Sequence, residues 1–335
     1  MKTYTFWNNK GGTGKTSLCF QCVVRYAQLH PTEKILVIDL CPQANLSELM
    51  SGGMMGNGAT NLDSLYHTNP RCSIGGYFEM RMTNPYTMPS SFVPTPYICV
   101  PHTVNQNIPS NISLLAGDRL VELQSSYIYS LANTNIPTQN TYACVLAWVK
   151  DLLAASADGF NVVFIDTNPS FAIYTQIALA ATDYLIIPVM ADDSSKRALN
   201  NVLSLIYGFN LPSVYENNTF SKNMQFPLPK IHMIVKNRMT QYMGPASSYS
   251  AVLQSIDSLI SSLMATNPQA FSRQNVIEEV RDFQSTGVVA FAEAKSFEQL
   301  KTEPLKHIIG GQDTHLNRPY IDNNAVDIDN LVGKL

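Results

Sequence analysis

Ten residues, Asn8-Asn9-Lys10-Gly11-Gly12-Thr13-Gly14-Lys15-Thr16-Ser17, constrain this chain more than any others. They follow an apolar run, Tyr4 to Trp7, that alternates like a strand, and they open a stretch, Leu18 to Leu29, that reads as a helix. A strand, a glycine loop and a helix entered through Gly-Lys-Thr make a phosphate-binding loop. Glycines let consecutive backbone N–H groups turn inward around phosphate oxygens, and the helix N-terminus adds partial positive charge. In that arrangement Lys15 reaches the β- and γ-phosphates, and the Thr16 hydroxyl completes the coordination of Mg²⁺. The expected ligands are a nucleoside triphosphate and Mg²⁺, held by Asn9 through Ser17.

Where such loops usually begin with glycine this chain has Asn9, followed by a second lysine, Lys10. Lys10-Gly11-Gly12-Thr13-Gly14-Lys15-Thr16 resembles the deviant Walker A loop of the ParA/MinD family of ATPases. The resemblance implies that Lys10 crosses a dimer interface to the second subunit's nucleotide. An extra cation beside a triphosphate makes electrostatic sense where it meets more negative charge than one loop already neutralises.

Two acidic strand ends extend the resemblance. Lys34 to Asp39 is apolar, β-branched and closed by a carboxylate, as expected of a buried parallel strand. The residues after it are similar to the family's switch segment, Asp-x-Asp-Pro-Gln-x-Asn, with Asp39 at the first acidic position. Cys41 stands where the family carries the aspartate that orients or activates the attacking water. On an extended chain residues 39 and 41 point the same way, so Asp39 is expected to take over part of that work from further back. Asn161 to Asp166 is a second such strand, and ligands of open α/β sheets sit at that edge. Asp166-Thr167-Asn168-Pro169-Ser170 resembles the family's Walker B ending, Asp-Thr-Pro-Pro-Ser, with Asn168 in place of the first proline. By this resemblance Thr16, Asp39 and Asp166 hold the metal; the plainer reading makes Asp166 a helix cap. After a further strand, Ile231 to Val235, the resemblance implies that Asn237 reads the adenine edge, with Arg238 beside it. No Asn-Lys-x-Asp sequence for reading guanine is present, which favours ATP over GTP.

Composition sets limits on partners. The chain has 335 residues, 45% of them hydrophobic, 14% charged, with a net charge of −3. So low a charge density argues against an overall field for a polyanion, and any DNA binding is expected to be weak, nonspecific and local. No apolar run reaches the ~18 residues that span a bilayer, and the N-terminus carries no secretory pattern. The expectation is a cytoplasmic protein without a membrane partner. Six cysteines, at 19, 22, 41, 72, 99 and 144, are then expected to be reduced. Cys19 and Cys22 fall among Leu18, Phe20 and Val23 and read as small buried hydrophobes, not a redox or metal pair.

Between residues 51 and 110 seven prolines deny a long helix. This region reads as an enlarged variable insertion, either a surface for a specific partner or padding. Strands are expected at 111–116 and 184–189, and helices from Gly117, over 142–157, 194–207, 250–263, 274–280 and 288–300. A polar, turn-rich tail follows from about residue 310, with no basic amphipathic helix of the MinD kind. Alternating strands and helices predict one doubly wound, mostly parallel sheet flanked by helices, in a single domain over 1–335. The resemblance implies a ParA-like ATPase that binds ATP and Mg²⁺, closes as a homodimer, and segregates or positions DNA or other cargo. A ParB-like partner would stimulate it, and Cys41 implies slow hydrolysis. An ATP-gated scaffold that does not hydrolyse is the alternative; an iron–sulfur reductase would need bridging cysteines such as Cys99 and Cys144.

Overall fold

A run of consecutive buried residues is the mark of a strand covered on both faces, and β2 (Ile35–Asp39) and β4 (Val162–Asp166) are buried along their whole length. In the computed structural model, which describes residues 1–335 except 157–158, 191, 210, 216–219 and 240–246, they pair in parallel. Around them lie β1 (Lys2–Phe6), β3 (Ile112–Leu115), β5 (Tyr184–Met190), β6 (Lys230–Met239) and β7 (Ile277–Arg281). Among the described residues these form a seven-stranded parallel sheet in the order β3-β2-β4-β1-β5-β6-β7. From β1 the chain moves outward to β2 and β3, returns to insert β4 beside β1, and continues to the other edge. The C-terminal ends of β1, β2 and β4 therefore meet where the direction reverses, the place at which such sheets bind ligands.

Side chains leave each strand alternately for two apolar layers. Leu36 and Ile38 enter one, Ile35 and Val37 the other. The layer with Ile35 is covered by α1 (Lys15–Leu29), α2 (Asn45–Met50), α3 (Gly58–Tyr66), α12 (Gln284–Ala292), α13 (Phe297–Leu300) and α14 (Arg318–Val332). Cys19 and Cys22 are fully buried there, as their apolar setting in sequence predicts. On the opposite face lie α4 (Ile74–Thr83), α5 (Leu120–Ala132), α6 (Thr141–Leu146), α7 (Trp148–Ala155), α8 (Ile173–Ala180), α9 (Asp193–Tyr207) and α11 (Ser247–Thr266), with the short α10 (Phe220–Asn223).

Four expectations change. Residues 274–280 read as a helix but contain most of β7, because Val276 and Val280 are inward at strand spacing and Glu278, between them, is paired with Arg273 and Lys334. The helix expected over 288–300 is two, α12 and α13, separated at Ala294, whose φ is 52°; Ser296 then starts α13 with a capping box. Residues from 310 are no polar tail. They complete a hairpin, β8 (Lys306–Ile309) with β9 (Gln312–His315), and then form α14. Ile321, Ala325, Ile328 and Val332 make a helical stripe buried against the core, while its many Asp and Asn residues hide that stripe in a composition count. The helix expected up to Ala157 is broken at Ala147 into α6 and α7, and its last residue lies outside the described residues.

Candidate nucleotide-binding site

The loop between β1 and α1 is anchored at its start by Asn8, which is fully buried. Its amide donates to the Pro188 carbonyl on β5 (2.7 Å), and its Oδ1 accepts from the Lys10 backbone N–H (3.1 Å). The sequence reading passed over Asn8; an amide directly after an apolar strand, where the chain must turn, was the available signal. At the other end Gly14 caps α1 with φ 84°, and a Cβ there would lie 2.2 Å from the Asn237 amide nitrogen. Only glycine meets both conditions. Gly11 and Gly12 are exposed, Asn9 and Ser17 half-buried, along the rim.

Inside the loop, polar atoms await a ligand. Lys15 is buried and, among the described residues, donates only to the Lys10 carbonyl (3.2 Å). Burial lowers the pKa of its ammonium, while the Asp166 carboxylate works to raise it. Thr16 Oγ1 donates to Asp166 Oδ2 (2.7 Å). Asp166 Oδ1, Thr13 Oγ1 and Asn9 Oδ1 are buried and have no hydrogen-bond partner among the described residues. Buried polar atoms normally have partners, so a hydrated cation at Asp166 and Thr16, beside phosphates in the loop, fits what these residues lack.

Asp39 and Asp166 are register partners on neighbouring strands. Burial pushes the Asp166 pKa up to about 8, helped by the charge of Asp39, and burial pushes Asp39 up to about 6. Asp39 does not stand free as a reserve for Cys41. Its Oδ1 accepts from the Cys41 N–H (3.0 Å), and its Oδ2 accepts from the N–H (2.9 Å) and hydroxyl (2.8 Å) of Ser47. It braces the segment that carries Cys41. Ser47 Oγ also accepts from the Gly117 N–H (2.8 Å), and the Gly117 carbonyl accepts from Tyr66 on α3 (2.8 Å). A Cβ at Gly117 would come within 2.9 Å of the Asp39 carboxyl, so the close approach excludes any other residue. The Cys41 thiol is buried, and burial together with the two carboxylates raises its pKa to about 12.

The remaining residues of interest have partners within the same chain. The Lys10 ammonium pairs with Asp192 and also reaches Ser195 Oγ (3.4 Å). Asp192 is the N-cap of α9, accepting from the Ser195 N–H (2.9 Å). Asn168 replaces proline's rigidity with hydrogen bonds. Its Oδ1 accepts from the Ser170 hydroxyl (2.8 Å) and Thr175 (3.1 Å), and its amide donates to Tyr174 (2.6 Å). Tyr174 in turn donates to Glu122 on α5 (3.0 Å). Asn237 is 2% exposed; its amide donates to the Thr13 carbonyl (3.0 Å) and its Oδ1 accepts from the Arg238 N–H (2.9 Å). Its polar atoms support the loop instead of facing outward. Arg238 is exposed, with φ 60°.

A parallel sheet with a glycine loop leading into a helix at its switch point defines a P-loop nucleoside-triphosphatase fold. A family model described as an AAA domain (AAA_31) matches residues 1–218, and the chain belongs to that family. A Chlamydia psittaci virulence plasmid ParA family protein, pGP5-D, is 26% identical over 206 residues, 60% of this chain and 62% of that protein. The chain thus spans about three fifths of the curated relatives that it first matches. Among solved structures, the ATP complex of a McdA variant from Cyanothece has a TM-score of 0.60 at 15% identity, covering 99% of this chain and 96% of that one. A plasmid partition protein from Borrelia burgdorferi has a TM-score of 0.50 at 15% identity, covering 100% and 99%. At these identities the structures speak for the fold.

Proposed function

We propose that this chain binds ATP with Mg²⁺ and closes on a second copy of itself, as a slow ParA-like ATPase that segregates or positions DNA or other cargo. The observation that carries the reading is the Thr16–Asp166 hydrogen bond at the mouth of the loop, beside a buried carboxylate oxygen without a partner among the described residues. Thr16 and Asp166 would hold the Mg²⁺, with Asp39 adding charge from the next strand; bound there, the ion neutralises phosphate charge and polarises the γ-phosphoryl group. Lys15 exchanges the Lys10 carbonyl for phosphate oxygens. Backbone N–H groups from Gly11 to Ser17 orient the rest of the triphosphate. The bound ATP in the McdA complex supports nucleotide binding by this fold.

Cys41 makes hydrolysis slow. A thiol with a raised pKa is protonated near neutral pH and is a poor acceptor for a proton from water. Asp39, already bound to Ser47 and Cys41, holds that segment in place. A long-lived ATP-bound dimer follows, in which Lys10 reaches the second subunit. A ParB-like partner that stimulates turnover and weak, ATP-dependent DNA binding, both in the cytoplasm, complete the reading. Titrating ATP into Lys15→Ala tests its base: binding should fall at least ~10-fold with loss of a charge-assisted contact. Unchanged affinity would remove the assignment.

A further inference from the structure

Two cysteines outside the nucleotide site are brought together by segments far apart in sequence. Cys99 pairs with Leu114 of β3 as an isolated antiparallel bridge, its N–H donating to the Leu114 carbonyl (2.9 Å) and its carbonyl accepting in return (2.8 Å). Two residues beyond Cys72, the Ile74 N–H donates to the carbonyl of Ala116 (2.8 Å), at the end of the same strand. Ser73 is fastened there as well, through Asp118 (2.6 Å). The backbones carrying Cys72 and Cys99 are therefore pinned to neighbouring positions along the edge of β3, close enough for each thiol to shift the acidity of the other. Cys99 Sγ also lies 3.5 Å from the Leu114 carbonyl. Cys72 is 8% exposed and Cys99 partly so, which leaves a route for a small oxidant.

We propose that Cys72 and Cys99 form a reversible thiol–disulfide switch, which closes a covalent ring around α4 within the 51–110 insertion. The oxidant is a hydroperoxide. The Cys72 thiolate attacks one peroxide oxygen; the O–O bond breaks, water or alcohol leaves, and a sulfenic acid forms on Cys72. Cys99 sulfur then attacks the sulfenic sulfur, forming the S–S bond and releasing water. Two thiols and one hydroperoxide become one disulfide, one alcohol or water, and one further water. A small dithiol reverses it by exchange. The pair is chemically asymmetric in the required sense, since the interaction between the two thiols lowers the pKa of Cys72 and, with burial, raises that of Cys99. The other cysteines are less suited. Cys19, Cys22 and Cys41 are buried with raised pKa values, and Cys144 accepts from Gln139 (3.3 Å). A metal site is a poorer reading of the pair, since no cluster of three His, Cys, Asp or Glu suited to a metal occurs among the described residues.

The test treats the full chain with hydrogen peroxide, blocks and counts thiols under denaturing conditions, and maps peptides by mass. The expected result is a fall from six thiols to four, the missing pair mapping to Cys72 and Cys99, restored by dithiothreitol. Cys99→Ser should stop the reaction at a Cys72 sulfenic acid that dimedone traps, and Cys72→Ser should leave Cys99 unmodified. Oxidised wild-type protein should also melt at a higher temperature than reduced protein, a shift absent from both variants. Six thiols remaining after peroxide, a bond mapping to another pair, or equal oxidation of Cys99 in the Cys72→Ser protein would overturn the proposal.

Discussion

Asp39 and Asp166 lie opposite one another on β2 and β4, both without solvent exposure, yet only Asp39 has both carboxylate oxygens bound by donors from its own chain. Asp166 gives one oxygen to Thr16, and the other has no partner among the described residues. Two neighbouring carboxylates thus have different work, one as a brace and one open to a ligand.

Their proximity predicts a pH dependence. Both pKa values are raised on folding, to about 6 and about 8. The native state then holds more protons than the unfolded chain, so stability is greatest below the ordinary carboxylate value, about 4, and is lost as pH rises through 6 to 8. Without ligand the melting temperature should fall over that interval. ATP with Mg²⁺ should release protons on binding at pH 7, fewer at pH 9, as calorimetry in buffers of different ionisation enthalpy would measure. Asp166→Asn should flatten the upper part of the profile; an unaltered profile would show that Asp166 is ionised throughout.

Cys41→Asp should raise ATP turnover by ~10²–10⁴, the range of a positioned general base. It should shorten the lifetime of the ATP-bound dimer in proportion. An unchanged rate with intact ATP binding would place water activation elsewhere.

Lys10→Ala should leave the fold almost untouched, because a half-exposed ion pair such as Lys10–Asp192 contributes ~0–1 kcal/mol. ATP binding by the monomer should persist, while light scattering should show no ATP-dependent dimer. A normal dimer would mean that Lys10 stays with Asp192.

Ile321→Ala should cost ~2–5 kcal/mol, since the side chain is fully buried in the layer that α14 shares with α1. Denaturant unfolding would measure it, and a loss below ~1 kcal/mol would make α14 an appendage.

Sequence made the centre of the molecule legible because physics leaves few choices there. A strand buried on both faces must be apolar throughout, and a loop that wraps phosphate must be rich in glycine, so β2, β4 and Gly11 to Thr16 could be read directly. The periphery was harder. β7 carries Glu278 at an inward position, neutralised by Arg273 and by Lys334, which is remote in sequence. In α14 four apolar residues among Asp and Asn are enough once the partner surface exists, but that surface is assembled from other elements. Within the site, motif resemblance located Asp39, Asn237 and Lys10 but not their partners. Ser47, the Thr13 carbonyl and Asp192, which decide how those side chains are held, each meet them from a different element or loop.

The hydrogen bonds from Tyr66 through Gly117 and Ser47 to Asp39 give the insertion a mechanical connection to the interior. Tyr66 and Ser47 each make one bond to Gly117, and Ser47 reaches Asp39 through both its N–H and its hydroxyl, so the relay runs unbroken from α3 to the end of β2. Displacing Tyr66 would cost the Gly117 carbonyl its side-chain donor, two contacts away from the carboxylate that holds the Cys41 N–H. A helix at the rim of the protein is in this way tied to the carboxylate that holds the Cys41 segment.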